Sequence, residues 1–391
     1  RDPLWSRGLG DVYKRQVHTG GIGTSLELYP DVTKAKEKDF RATFEIKGKA
    51  LYPQMKILFA MMREILMESR LDDEKRLKEI LAMLKSRLQM SFQSSGHTTS
   101  ALRALSYGSP LSKFKDDTDG IGFYEVVRDI EEHFEEKKAE LIQNLKQLSR
   151  QIFRVDNVMI SYTSSEDGLA PMEAAFREIK DTLYPELDGE EIPCVLHGRK
   201  RNEGFKTSSK VQYVARVGNF IDHGAQYHGA LQILKVILSY DYLWQNVRVK
   251  GGAYGCMSNF NRIGEGYLIS YRDPNLKKTM EVYEGVVDYL KNFTVDERDM
   301  TKYIIGTISN IDRPMNPAAK GDRSMNLYMN HVSQEMIRTE RSQILHAAQE
   351  DIRALAAVVE AMLKAEQICV IGSEEKIEEE KEMFLEVKTL F

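Results

Sequence analysis

Between Phe40 and Ile46 the chain alternates, with Phe40, Ala42, Phe44 and Ile46 on one side and Arg41, Thr43 and Glu45 on the other. A period of two predicts a half-buried antiparallel strand. Residues 18–32, with glycines at the start, predict a partner strand, separated from it by a lysine-rich polar run at 33–39. From Met55 the period lengthens. Ile57, Leu58, Met61, Met62, Ile65 and Leu66 line one face of a helix. Leu77, Ile80, Leu81, Leu84 and Leu88 repeat that signal after Asp72-Asp73-Glu74, an acidic start suited to a helix N-terminus. Residues 94–100 and 107–110 carry turn chemistry, and a charged helical region runs from Gly120 to Arg150. The run NVMISYT at 157–163 predicts a strand, and 169–183 a helix with Pro171 in its first turn.

Between Tyr184 and Lys210 the pattern dissolves into Pro185, Gly189, Pro193, Gly198, Gly204 and the basic cluster Arg199-Lys200-Arg201, which reads as a solvated linker. Periodicity resumes with a strand at 211–217, where Val211, Tyr213, Ala215 and Val217 alternate. A helix over 226–245 leads to a pair of strands, the second carrying Tyr267, Ile269 and Tyr271 and stopped by Asp273-Pro274. Helices are expected at 276–292, 294–309, 318–328, 335–347 and 351–364, then a closing strand at 367–371 and an acidic surface helix at 374–382. The order of elements parallels the first part and suggests a distant internal repeat. The expected organisation is therefore α+β, with sheet-plus-helices domains at 17–185 and 211–391 and a linker at 186–210.

Composition narrows the function classes. With 391 residues, 42% hydrophobic and 29% charged, the chain is of globular and not disordered type. A net charge of −4 implies no general nucleic-acid or membrane surface. No apolar run approaches the ~18–20 residues of a membrane span, and no signal-peptide core is visible, so a cytoplasmic setting is expected. Cys194, Cys256 and Cys369 are far apart and read as reduced thiols. The chain starts at Arg1, and its first methionine is Met55. It reads as a fragment, with residues 1–16 a non-native leader that resembles translated adaptor sequence.

The candidate chemistry lies in 243–274. Arg248, the glycines Gly251, Gly252 and Gly255, and Tyr254 flank the start of the expected strand pair. A planar fork of donors and a phenol there could face an extended peptide. From residue types alone, Arg248 could equally pair with a nearby carboxylate while Tyr254 packs in the sheet. The run Arg248, Lys250, Gly251, Gly252, Ala253, Tyr254, Gly255, followed by Ser-Tyr-Arg-Asp-Pro-Asn at 270–275, resembles the C-terminal half of the presequence protease branch of the pitrilysin/insulinase zinc metallopeptidases. The resemblance extends from about Val17 onward. It implies two related domains of the pitrilysin/insulinase type, with the first truncated because it lacks the family's opening strand and helix. It also implies that Arg248 and Tyr254 hold the substrate carbonyl and stabilise the transition state, beside a zinc site in the N-terminal catalytic half of the same protein. The partners implied are that half and an unstructured peptide, with no nucleic acid and no membrane.

A zinc site of this kind needs H-x-x-E-H on one helix, two imidazoles a turn apart with a glutamate as general base. None of the eight histidines begins it. Asp129-Ile130-Glu131-Glu132-His133 comes nearest and reads as a solvated, densely charged helix face. His223 and His228 would lie ~140–150° apart around a helix. No metal ligands are therefore expected in this chain, and the zinc is assigned to the full-length enzyme. Residues 251–255 contain no G-K-[ST] and the chain no G-x-S-x-G, so neither a P-loop nor a nucleophile elbow is indicated. Two readings follow. One is the C-terminal half of a zinc metalloendopeptidase that encloses and degrades unstructured peptides. The other is a catalytically inactive peptide-binding or scaffold subunit.

Overall fold

Tyr213, Ala215 and Val217 do share one face of a strand, but Val214 between them is equally buried, so helices cover both faces of the sheet. The computed structural model describes residues 18–186, 196 and 198–391. The expected leader, and residues 187–195 and 197 of the expected linker, lie outside the described residues. The first part contains strands β1 (Ile22–Pro30) and β2 (Phe40–Gly48) and helices α1 (Met55–Met67), α2 (Glu74–Leu105), α3 (Pro110–Asp119), α4 (Ile121–Glu132), α5 (Phe134–Ile152) and α6 (Leu169–Lys180). Next come β3 (Glu203–Thr207), β4 (Tyr213–Asn219), α7 (Ala230–Tyr240), a π-helical turn at Trp244–Val249, β5 (Gly255–Phe260) and β6 (Glu265–Tyr271). They are followed by α8 (Lys277–Glu284), α9 (Val286–Lys291), α10 (Glu297–Ile311), α11 (Pro317–Met329), α12 (Gln334–Leu345), α13 (Gln349–Leu363), β7 (Gln367–Ser373), α14 (Glu374–Glu379) and β8 (Glu386–Thr389).

β1 and β2 form an antiparallel pair with Leu26 opposite Phe44, and Ile22 packs with Met55, Leu58 and Met62 of α1 and Met172 of α6. The second sheet has six strands in the order β5-β6-β4-β7-β3-β8. Strands β5, β6, β4 and β7 are antiparallel to their neighbours, whereas β3 lies parallel to both β7 and β8. On one face Val214, Leu268 and Val370 meet α7, α9 and α13. On the other, Phe205, Tyr213, Val217 and Ile371 meet Leu88, Phe92, Ala104 and Tyr124 from α2 and α4. The fold is α+β, as expected.

Four expectations change. Residues 157–163 form no strand, and Val158, Met159 and Ile160 are exposed. A strand exists only where a neighbour takes up its backbone groups, and no described neighbour does so here. The first sheet accordingly has two strands against six, and the expected repeat of element order is not reproduced. The expected linker contains β3, which sits between β7 and β8, and one core crosses from α2 and α4 to the sheet. The basic cluster is held there, with Lys200 Nζ 3.0 Å from Glu366 and Arg199 Nη2 3.5 Å from Glu386. Finally, 94–100 is helical. The turn signal appears as a kink in α2 at Ser95 (φ −127°, ψ 29°). The Tyr213 hydroxyl donates to Gln93 O at 2.5 Å, and a Cβ on Gly96 would lie 2.2 Å from the Tyr213 ring.

The same helix carries Arg103, which is almost fully buried. Its Nε and Nη2 donate to Glu203 on β3 at 2.6 and 2.9 Å, and its Nη1 donates to Asp116 on α3 at 2.6 Å. Tyr107 Oη and Lys388 Nζ on β8 also donate to Glu203, both at 3.0 Å. Burial alone would raise the Glu203 carboxyl, but the hydrogen bond and charge of Arg103, with Lys388 behind them, bring it down to about 2 from 4.5. A folded value below the unfolded one means that this pairing stabilises fully above pH 4.5 and is lost as pH falls towards 2. Burial pushes the Asp116 carboxyl the other way. The Glu203 contribution is therefore read as a difference between variants. Glu203→Gln is expected to cost about 3–5 kcal/mol at neutral pH, because Arg103 keeps a buried charge short of its partner. It is also expected to remove about 3 kcal/mol of pH dependence below pH 5. Urea unfolding of both proteins between pH 2.5 and 7 checks both values.

Candidate functional site

The helix expected to run to residue 245 ends at Tyr240, and the chain then winds more loosely. In the π turn, Lys250 N donates to Gln245 O, five residues back, at 2.9 Å. Two glycines end it. A Cβ on Gly251 would lie 2.4 Å from Val247 O, and Gly252 has φ +81°, where only glycine is free of strain. Gly252 N donates to Arg248 O (2.8 Å) and Ala253 N to Val247 O (3.1 Å), folding the loop back on the turn. Tyr254 N then donates to Tyr271 O at 3.0 Å and starts β5, the edge strand.

The downstream run 270–275 braces this loop. Asn275 Nδ2 donates to Gly251 O at 2.6 Å. Asp273, fully buried, accepts from Asn275 N at 2.9 Å and from Thr279 Oγ1 at 2.7 Å, while its backbone pairs with Gln212. Burial pushes the Asp273 carboxyl up, and the hydrogen bonds from Asn275 and Thr279 partly oppose that shift. Arg-x-Lys-Gly-Gly-Ala-Tyr-Gly thus presents the side chains, and Asp-Pro-Asn fastens the loop that carries them.

The structure brings Arg248 and Tyr254 together. The Arg248 guanidinium lies 4.1 Å from the Trp244 ring centre and 5.8 Å from that of Tyr254. Among the described residues no carboxylate pairs with Arg248, and Tyr254 is 67% exposed, so neither side chain is spent on packing the fold. Beyond Tyr254 the rings continue. Tyr271 stands edge-on to Tyr254 at 5.8 Å and to His97 of α2 at 4.8 Å, with the Arg272 guanidinium 5.4 Å from its centre. Trp244, Tyr271, Arg272 and His97 were not singled out from the sequence as site residues. Trp244 precedes Arg248 by four residues and Tyr271 lies inside the second motif run, so both were findable. His97 came only through the fold. A guanidinium and a phenol with free donors, side by side at a sheet edge, can hydrogen-bond a peptide carbonyl and stabilise negative charge developing on it.

No group of three or more His, Cys, Asp or Glu side chains placed to hold a metal occurs among the described residues. Asp129 and His133, the nearest approach to a zinc motif, form a surface ion pair at 3.3 Å, with Lys137 also bonded to Asp129. His228 Nδ1 accepts from Ala230 N at 3.2 Å. These residues do not fit a zinc site. Among the described residues no helix is long and apolar enough to cross a membrane.

Fold and site together define a peptidase-type domain pair. The chain is similar to a protease from Helicobacter pylori, with a TM-score of 0.59 and 13% identity over 92% of this chain and 83% of that one. Residues 202–374 match the PreP C-terminal domain, and residues 13–130 match the associated domain of the same peptidase subfamily. Protein HypA of Clostridium perfringens is 38% identical over 96% of this chain, and presequence protease 1 of Arabidopsis thaliana 27% identical over 95%. The chain belongs to the presequence protease branch of the pitrilysin/insulinase peptidases. It spans 38% and 34% of the lengths of those two relatives.

The loop geometry sets an expected order of effects. Gly252→Ala should cost about 1–2 kcal/mol by forcing a side chain into the left-handed region. Asn275→Ala should cost about 1 kcal/mol through the lost bond to Gly251. Tyr254→Phe, which removes only an exposed hydroxyl, should leave the denaturant midpoint within about 0.5 kcal/mol of its original value. Urea titrations of the three variants check the ranking.

Proposed function

We propose that this chain supplies the C-terminal, non-metal half of a zinc metalloendopeptidase that encloses and degrades unstructured peptides. Its partners in this reading are the N-terminal catalytic half of the same protein, which carries the zinc, and the peptide. The observation that carries the reading is the pairing of an uncompensated guanidinium with an exposed phenol on a braced glycine loop.

In the cleavage of a peptide bond, negative charge gathers on the scissile carbonyl oxygen. Donors fixed in advance favour that state over the ground state without reorganising. Tyr254 offers one neutral O–H. Arg248 offers a permanently charged fork, and Trp244 beneath it limits the rotamers available to that fork. The loop from Gly251 to Ala253 keeps both side chains at a fixed separation, which is the property needed for gripping a short stretch of backbone.

The reading is tested in the restored full-length enzyme. Tyr254→Phe keeps the ring and removes the donor, and Arg248→Lys keeps the charge and removes the fork. Each is expected to lower kcat/KM about 10–150-fold while zinc content and melting temperature stay unchanged. The double variant should lose less than the product of the two, since both groups hold one peptide segment. Wild-type turnover in both well-folded single variants would refute the assignment.

A further inference from the structure

The Arg248–Tyr254 pair ends a row of rings that reaches back into the first part of the chain. Tyr254 leans on Tyr271, and Tyr271 stands edge-on to His97, 4.8 Å between centres with the planes at 76°. His97 also lies 6.2 Å from the Tyr213 ring. It occupies the turn just after the kink at Ser95, where Gly96 leaves room for the Tyr213 ring and the Tyr213 hydroxyl takes the Gln93 carbonyl. In an unbroken helix that carbonyl would accept from the amide of His97 itself. The kink therefore sets His97 against Tyr271 instead of continuing along the helix axis.

We propose that His97 is a positioning residue for the peptide-gripping pair, acting through Tyr271 to fix the phenol of Tyr254. This role rests on the reading of Arg248 and Tyr254 given above. His97 Nδ1 is buried and makes no hydrogen bond, and burial lowers the pKa of the ring, which is accordingly neutral near pH 7. What His97 contributes is the shape and edge of a planar ring. Edge-to-face pairs of this kind favour one arrangement over others by about 0.5–1.5 kcal/mol. That is enough to decide which way an exposed tyrosine faces.

Trp244 and Trp5 are the two tryptophans of the chain, so Trp5→Phe leaves Trp244, stacked under Arg248, as a single fluorescent reporter of the site. Two measurements are made in that background. One is acrylamide quenching of Trp244. The other is the anisotropy of a fluorescein-labelled, unstructured 20-residue peptide of Gly, Ser, Ala, Lys and Leu, titrated with the chain. His97→Ala is expected to raise Trp244 quenching and to weaken peptide binding about 2- to 12-fold. His97→Phe, which keeps a ring edge against Tyr271, is expected to restore both. Far-ultraviolet circular dichroism and the melting temperature identify any variant that has lost its fold, and the phenylalanine variant keeps the test open if the alanine variant has.

Unchanged quenching in folded His97→Ala would overturn the proposal. So would unchanged peptide affinity in that variant when Tyr254→Phe weakens binding. Failure of His97→Phe to restore either quantity would do the same, by showing that the ring nitrogens matter. If Tyr254→Phe and Arg248→Lys leave the affinity unaltered, or the chain binds no peptide, the gripping assignment falls instead. Trp244 quenching then decides the positioning role alone.

Discussion

The buried contact of Arg103 with Glu203 and Asp116 is the constraint on which most of this architecture depends. Taking such charges out of water costs several kcal/mol apiece, and the cost is recovered only when the geometry is good and the remaining lone pairs are satisfied. Here they are satisfied from four directions. Arg103 comes from α2, Asp116 from α3, Glu203 from β3 and Lys388 from β8, and Tyr107 completes the set. Few alternative placements of these four elements would satisfy the same charges. The network therefore defines where α2 crosses the sheet, and hydrophobic contact alone would tolerate sliding of that helix.

That placement reaches the candidate site. His97 lies six residues before Arg103 on the same helix, a rise of about 9 Å, so anchoring one end of the segment sets the height of the other above β4 and β6. On the opposite side of the sheet, Asp273 and Asn275 fasten the glycine loop from below. Tyr254 is thus held between a helix from the first part of the chain and a loop from the second. Dividing the molecule at 186–210 would cut through this arrangement, because β3 and the core beneath α2 and α4 both cross that division.

Much of this was legible in the residues, and the parts that were not share one cause. The helix at Met55–Met67 and the strands at 22–30 and 40–48 follow from period and turn chemistry, since each has one wet face and one dry face. Gly251, Gly252, Arg248 and Tyr254 stood out because glycine pairs and a charged fork have few ordinary uses in a strand-bordering loop. By contrast β3, EGFKT, is short and polar, and its Glu203 is acceptable inside only because of an arginine 100 residues away. Residues 157–163 have the composition of a strand but no described partner. Ser95-Gly96 has the composition of a turn, yet packing against Tyr213 keeps it helical and merely bends it. Local preference was overruled wherever a contact distant in sequence supplied the larger energy.

The π turn at Trp244–Val249 has a consequence for how this segment tolerates change in length. A π turn holds one more residue than the α-helical turn it replaces, so it behaves as an insertion trapped inside a helix. Deleting one residue between Leu243 and Lys250 would let the segment relax to ordinary α-helical winding, which advances each following side chain by about 100° around the axis. Arg248 would swing off the Trp244 ring, and the glycine loop would begin at a different angle. Substitutions that preserve bulk should be absorbed here, whereas single-residue insertions and deletions should not. Among homologous chains, the spacing between the end of α7 and Tyr254 is then a better marker of a working site than the identity of the residues between them.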